Sequence, residues 1–236
     1  EAFSEKTHDY EILHSSLDAY FGQIDKENLE TVSESLVHCM VGCYNSMSKV
    51  KRGHRRLENK ISLCEKMICQ SGVSYNKDEF EKAEKALLFT EFHDILPGSA
   101  IKKAEEDAVR LINYGEEIVQ SIIQKAFFKL CQGQKKSPAE HIIPVMVYNP
   151  YPYEISDTFE VEFQPASPNY SDVDFKDVVV YDEDGNVLKS QVEKPGCTMN
   201  WDWRKRVAFY AKLKPMSINR FDCELKVVQN YKPVTP

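Results

Sequence analysis

Residues 47–68 read MSKVKRGHRRLENKISLCEKMI. Mostly apolar side chains recur in this stretch at alternating steps of three and four, in a series made up of Met47, Val50, His54, Leu57, Ile61, Cys64 and Ile68. That spacing is typical of one face of a long helix that packs against partner helices. The sequence therefore predicts a helix over about 44–70, which Ser71-Gly72 ends.

Two more helices are predicted downstream. Asn76, followed three residues later by Glu79, has the pattern of a capping box and opens a helix over about 77–93. Pro97-Gly98 interrupts the chain, and a further apolar stripe predicts a third helix over about 100–131. We expect these long elements with short connections to form an antiparallel three-helix bundle.

The sequence changes character near residue 140. After the polar linker 132–138, apolar residues alternate with period two, most clearly over 159–163 and 207–213. The segment Asp-Glu-Asp-Gly-Asn, residues 182–186, lies between two such runs and predicts a hairpin.

The predicted fold class is therefore α+β. A helical-bundle domain over 1–140 is followed by an antiparallel β-sheet or partial β-sandwich domain over 141–236. We expect the sandwich to be truncated, because residues 232–236 read Lys-Pro-Val-Thr-Pro and supply no closing strand.

Composition limits the function classes. The net charge of −7 argues against a nucleic-acid partner, and we interpret the basic residues of 51–56 as a solvated helix face. No apolar run approaches the roughly 20 residues that cross a bilayer, so no membrane partner is predicted. The seven cysteines have no regular spacing, which favours a reducing compartment, and we expect a cytoplasmic protein.

One string carries candidate chemistry, Leu-Leu-Phe-Thr-Glu-Phe-His-Asp-Ile-Leu-Pro-Gly-Ser at 87–99. His93 and Asp94 are placed near the end of the second predicted helix. A helix end holds an imidazole rigidly, and an adjacent carboxylate orients that ring or receives a substrate hydroxyl. Taken alone, such a pair is more often structural than functional.

The segment 92–99, Phe-His-Asp-Ile-Leu-Pro-Gly-Ser, resembles the signature of glycoside hydrolase family 38, the zinc-dependent α-mannosidases. The segments 42–46 and 51–58 resemble a helical motif of that family, and 147–152 resembles the Asn-Pro start of its β domain. The three motifs occur in the family's order. The chain departs from the family at His54, where Asn is common, and at 34–36, where a Gly-Glu/Asp-Leu step is common.

The resemblance implies that the intact protein hydrolyses terminal α-linked mannose with retention, using a catalytic zinc. In that family the bundle follows a catalytic domain and lends it one histidine ligand. Carried over residue by residue, His93 would bind zinc and Asp94 would contact the mannoside substrate. No catalytic residue is expected in this chain, because the nucleophile and the acid/base belong to the missing N-terminal domain.

The chain alone is therefore expected to be inactive and not to bind Zn²⁺ stably. A catalytic zinc needs at least three protein ligands, and retaining glycoside cleavage needs two carboxyl groups about 5 Å apart.

Two alternatives remain open. One is a hydrolase of the same family that acts on a mannosylglycerate-type substrate. The other is a non-catalytic carbohydrate-binding or assembly module, in which Trp201 and Trp203 would share one strand face and stack on sugar rings. The module predicts measurable sugar affinity of this chain alone, whereas the mannosidase predicts almost none. The sequence leaves open which linkage is cut and whether the protein is a homo-oligomer.

Overall fold

The computed structural model describes residues 13–171, 173–196 and 202–229. These residues fall into two compact units, one up to Gly42 and one from Cys43 onward. The first contains helix α1, Leu17–Gln23, and a 3₁₀ turn at Leu36–His38. Ser16 caps α1 by accepting a hydrogen bond from the backbone N–H of Ala19 at 3.2 Å, and α1 has no buried residue. A second 3₁₀ turn covers Val41–Tyr44.

Three helices of the second unit share one apolar core. They are α2, Ser48–Ser71; α3, Lys77–Thr90; and α4, Lys102–Leu130. Each has an apolar face and a charged outer face, which makes burial of the apolar stripe the main source of their stability. Two of the predicted helix boundaries are present: Asn76 accepts hydrogen bonds from the amides of Asp78 and Glu79 at the start of α3, and Gly72 in a left-handed conformation ends α2. Helix α4 begins after Ile101, which makes no side-chain cap, so Ser99 is not its N-cap.

Helices α2 and α4 run in the same direction. Arg56 of α2 donates to Glu116, which lies about halfway along α4. Farther along both helices, Lys129 near the end of α4 donates to the carbonyl of Gly72, which follows α2. Helix α3 runs in the opposite direction, since its C-terminal Glu91 lies beside His54 of α2. The three-helix bundle stays a prediction for α2–α4, whereas the α+β class is confirmed.

The strands form two antiparallel three-stranded sheets. Their bounds are β1, Ile142–Asn149; β2, Ile155–Phe163; β3, Phe175–Tyr181; β4, Ser190–Glu193; β5, Lys205–Leu213; and β6, Ser217–Val228. The first sheet has the order β1-β6-β3 and the second the order β2-β5-β4. Their inner faces share one apolar core, in which the rings of Phe209 and Phe221 lie 4.9 Å apart between centroids. This is the arrangement of a small β-sandwich.

The predicted hairpin at 182–186 is present but short: beyond the turn, the amide of Leu188 donates to the carbonyl of Val180 at 2.8 Å. Asp182 and Asn186 are hydrogen-bonded through their backbones, and a single bridge joins Tyr181 to Val187. The chain then crosses to the other sheet, so β3 and β4 are not partners. The alternation of apolar residues identifies both strands, but it does not say which sheet each one joins.

Helices and sheets meet beside the end of α2. The hydroxyl of Tyr148 in β1 donates to Gln70 at 2.6 Å, and the ammonium of Lys66 lies 5.1 Å from the ring centroid of Tyr151. The change from helix to strand falls between Leu130 and Ile142. The division into domains 1–140 and 141–236 stays a prediction. Among the described residues, every helix is too short or too polar to cross a bilayer.

Candidate functional site

Helix α3 ends at Thr90, three residues before the predicted end at 93. Thr90 is fully buried, and its hydroxyl donates to the carbonyl of Leu87 at 2.7 Å. The next two amides bond three residues back instead of four, Glu91 to Leu88 and Phe92 to Phe89. This tightening is a usual way to use the last carbonyls of a helix. His93 and Asp94 consequently lie in the turns after α3 and not on the helix.

The segment 91–100 folds back on itself through its own backbone. The amides of Ile95 and Leu96 both donate to the carbonyl of Phe92, at 2.9 and 3.1 Å. Ala100 donates to the carbonyl of Asp94 at 2.8 Å, which closes the segment. The side chain of Ile95 is 6% exposed and packs in the helical core, so it anchors the segment from within. We call residues 91–100 the His-Asp loop.

The structure brings the two predicted site residues together at the surface. Nε2 of His93 lies 3.5 Å from Oδ2 of Asp94, and the side chain of His93 is 79% exposed. The imidazole is tilted against the ring of Phe92, with 4.2 Å between centroids. Oδ1 of Asp94 accepts a hydrogen bond from the hydroxyl of Ser99 at 2.9 Å. The carboxylate is thus oriented on one side, while its imidazole neighbour is open to solvent.

Two side chains hold the His-Asp loop from the start of α2: Ser46, which precedes the helix, and Lys51, which lies in its first turn. The ammonium of Lys51 donates to the carbonyl of Leu96 at 2.7 Å and to that of Ser46 at 2.6 Å. The hydroxyl of Ser46 donates to the carbonyl of Pro97 at 2.7 Å. Sequence reasoning did not identify these roles. The available signal was that Ser46 and Lys51 belong to the second family-like motif, whose contact with the first is a tertiary one.

His54, one of the departures from the family, also lies next to the loop. It is 8% exposed, and its Nε2 lies 3.4 Å from Oε1 of Glu91. The two atoms are within ion-pair distance, but Nε2 makes no hydrogen bond of good geometry. His54 therefore occupies space between α2 and the end of α3 without fixing the carboxylate of Glu91.

The donor atoms of the His-Asp loop suit one part of a metal site. An imidazole and a carboxylate are both ordinary zinc ligands. Among the described residues, no group of three or more His, Cys, Asp or Glu is arranged to hold a metal ion. The exposed imidazole of His93 is therefore chemically suited to be one ligand of a zinc ion, and the described residues do not form a complete site around it.

One of the two tryptophans predicted to stack on sugars lies among the described residues. Trp201 lies outside the described residues. Trp203 is half-buried, and its Nε1 is buried without a hydrogen-bond partner. The sugar-stacking role of Trp201 and Trp203 stays a prediction.

Comparisons with known proteins match the helical part of the chain to a family model. The family model of the alpha mannosidase middle domain matches residues 38–130, a range that includes Ser46, Lys51, His93 and Asp94. No curated protein matches the chain.

Two solved structures share the fold of the whole chain. An alpha-mannosidase from Enterococcus faecalis V583 has a TM-score of 0.63 and 17% identity, covering 99% of this chain and 31% of its own. A glycosyl hydrolase family 38 protein from Enterococcus faecalis has a TM-score of 0.62 and 16% identity, covering 98% and 30%. This chain thus spans less than a third of the length of either structure. The predicted resemblance to glycoside hydrolase family 38 is confirmed, in that residues 38–130 match the model of the alpha mannosidase middle domain.

Proposed function

We propose that this chain is part of a zinc-dependent retaining α-mannosidase, in which His93 is one zinc ligand and Asp94 contacts the bound mannoside. The observation that carries the proposal is the presentation of the pair. An exposed imidazole and an oriented carboxylate stand next to each other on a loop that its own backbone, a buried side chain and α2 hold in place. A preorganised but incomplete ligand set is what a shared metal site requires.

The chain's own residues have a limited task in this mechanism. His93 would hold the metal, and the contact with Phe92 would restrain its ring. Asp94, already bonded to Ser99, would accept a hydrogen bond from a sugar hydroxyl with its other oxygen. When bound, zinc supplies Lewis-acid stabilisation of the substrate oxygens. The two carboxyl groups that cleave the bond would come from a preceding catalytic domain of the same polypeptide.

The surface around His93 supports such a partner domain. Four large apolar side chains in or next to the His-Asp loop are substantially exposed: Leu88, Phe89, Phe92 and Ile101, at 60, 57, 50 and 74%. Several large exposed apolar side chains this close together in the sequence support a surface that another domain covers. Both similar solved structures are more than three times as long as this chain, which leaves room for that domain. We also propose a reducing, cytoplasmic environment, supported by six free cysteines among the described residues.

The test is substitution of His93 by Ala and of Asp94 by Asn in the full-length protein. We expect His93→Ala to weaken zinc binding by more than about 100-fold, because loss of a ligand exceeds the 10–100-fold effect of losing an outer partner. Turnover of an aryl α-mannoside should fall with it. Asp94→Asn should keep the metal and mainly raise KM, since it alters a substrate contact.

His38→Ala is the matched control, because His38 is also an exposed histidine and lies outside the loop. Wild-type zinc content and rate in a folded His93→Ala protein would reject the proposal. The same assay separates the alternatives. Turnover of a mannosylglycerate-type compound but not of an aryl mannoside favours the family hydrolase that acts on mannosylglycerate-type substrates. Sugar affinity of this chain alone, undisturbed by His93→Ala, favours the binding module.

A further inference from the structure

The two polar anchors of the His-Asp loop converge on three consecutive residues. Lys51 reaches the carbonyl of Leu96, and Ser46 reaches the carbonyl of Pro97. The third residue, Gly98, has a φ of +87° and faces Ser46 so closely that a Cβ atom would lie 2.2 Å from the Ser46 hydroxyl oxygen. The close approach of the loop to the start of α2 thus depends on the ammonium of Lys51, the hydroxyl of Ser46 and the lack of a side chain on Gly98.

Lys51 is the central element of this arrangement. Its ammonium also donates to the carbonyl of Ser46, so a single cation bridges the segment before α2 and the loop after α3. Hydrogen bonds from a charged donor are shorter and stronger than those between neutral groups. Lys51 is half-buried, which limits the competition from water.

The bridge acts close to the site along the chain. Leu96 follows His93 by three residues, and the amides of Ile95 and Leu96 bond back to Phe92. Fixing the carbonyl of Leu96 therefore fixes the turn that carries His93 and Asp94. Without the bridge, the pair would still be present but would sample several orientations.

We propose that Lys51, assisted by Ser46, is a positioning residue that sets the orientation of His93 and Asp94 through the backbone of the His-Asp loop. The inference rests on the proposed function for its effect on zinc. The geometric part, that Lys51 restrains residues 95–100, stands independently of it.

The experiment compares Lys51→Met with Lys51→Arg in the full-length protein. Methionine keeps most of the apolar stem and removes the donors, whereas arginine keeps the charge and the donors. Lys60→Met is the matched control, because Lys60 lies on the same helix and pairs with Glu116, away from the loop. The readouts are the affinity for added Zn²⁺ and the hydrogen exchange of the loop amides over residues 95–100, among which Pro97 has no amide hydrogen.

We expect Lys51→Met to speed exchange at residues 95–100 while α4 keeps its protection, and to weaken zinc affinity by about 10–100-fold, as loss of an orienting partner does. Lys51→Arg should recover most of the protection against exchange and most of the zinc affinity. Lys60→Met should change neither the exchange at residues 95–100 nor the zinc affinity. Wild-type exchange and affinity in Lys51→Met would overturn the proposal. A uniform rise in exchange through α2 and α4 would also overturn it, because Lys51 would then be a general stabiliser.

Ser46→Ala provides a second test if Lys51→Met fails to fold. It removes one hydroxyl and should produce the same local pattern with a smaller amplitude; no local change would count against the arrangement. His93→Ala separates this inference from the proposed function. If that variant retains zinc while Lys51→Met still loosens residues 95–100, the positioning of the loop holds and the zinc assignment fails.

Discussion

A Cβ atom on Gly98 would lie 2.2 Å from Oγ of Ser46 and 2.7 Å from its Cβ. Real Cβ atoms do not approach other heavy atoms so closely. Gly98 also has a φ of +87°, in the region that residues with side chains avoid. Pro97-Gly98 of the motif at 92–99 and Ser46 of the motif at 42–46 therefore form one close contact between the His-Asp loop and the segment before α2.

Substitution of Gly98 by Ala should separate strain from collision. Gly133 provides the control, since it has a φ of +85° and a Cβ added there would meet nothing within 4 Å. We expect Gly133→Ala to cost about 1–2 kcal/mol of unfolding free energy from the left-handed backbone alone. Gly98→Ala should cost about 1–3 kcal/mol more, because the loop must move away from Ser46. Urea denaturation of both variants measures the difference, and equal losses would show that the contact is not tight.

Asn149, the central residue of the third motif, holds a loop rather than a ligand. It is fully buried, donates to the carbonyls of Tyr153 and Leu213 at 2.9 and 3.3 Å, and accepts from the amide of Tyr151. Asn149→Ala leaves these groups without partners, so we expect a loss of about 2–3 kcal/mol. Asn149→Asp should be at least as harmful, since an ionised carboxylate cannot donate to either carbonyl.

The control for Asn149 is Asn113→Ala. Asn113 is exposed on α4, and its replacement should change unfolding free energy by less than about 0.5 kcal/mol. Thermal melts of the three variants check the order. A Tm for Asn149→Ala equal to that of Asn113→Ala would contradict the role assigned to Asn149.

Local pattern was sufficient for most of the helical part. The three- and four-residue spacing from Val50 to Cys64 placed α2, and Gly72 and Asn76 marked where α2 ends and α3 begins. These are properties of neighbouring residues, which sequence reports directly. Helix α3 ends at Thr90, a few residues before the predicted end near 93, where the amides of Glu91 and Phe92 bond three residues back.

The sheets show where local pattern stops being sufficient. Alternation identified the strands β2 to β5, whereas β6 was not predicted although it is the central strand of its sheet. The signal was present, since apolar residues alternate with charged ones from Phe221 to Val227, and among the inward-facing positions the buried Asn219 is a polar exception. Partner choice between β3 and β4 depends on which face each buries, a tertiary property.

The candidate site likewise has a part that local sequence predicts and a part that depends on tertiary contacts. His93 and Asp94 were identified through a motif that is continuous in sequence. Lys51 lies more than 40 residues from Leu96, so its bond to the loop is invisible to periodicity or spacing. The motifs indicated that both segments matter, and only the fold shows that they touch.

Thiol reactivity should follow burial. Cys64 and Cys223 are fully buried, and burial raises the pKa of each thiol to about 12. At pH 8 only about 10⁻⁴ of such a thiol is ionised, compared with about a quarter of an exposed thiol with a pKa near 8.5. We expect iodoacetamide to modify the exposed Cys39 and Cys69 first and to leave Cys64 and Cys223 unmodified in the folded protein.

Peptide mass spectrometry after timed labelling measures these rates, and labelling in urea, where all thiols are accessible, is the reference. The buried sites should stay slow until the protein unfolds. Modification of Cys64 at the rate of Cys69 would show that the helical core opens readily.

A buried ion pair fixes one corner of the sandwich. Lys205 is 1% exposed, its ammonium pairs with Asp202, and it lies 3.8 Å from the ring centroid of Phe175. Burial lowers the pKa of Lys205, and the pairing with Asp202 offsets only part of that effect. Asp202 also accepts from the amide of Lys176 at 2.8 Å, so the pair connects the segment before β5 to the start of β3.

Removal of either charge alone should therefore destabilise the protein more than removal of both. We expect Lys205→Met to cost about 3–5 kcal/mol of unfolding free energy, because it leaves the carboxylate of Asp202 largely buried and uncompensated. Lys205→Met combined with Asp202→Asn should recover most of that loss, since the amide still accepts from Lys176 and carries no charge. Urea denaturation of the two single variants and the double variant gives the coupling directly. Additive losses would mean that the two charges do not stabilise each other, and that packing of the lysine stem against Phe175 holds this corner instead.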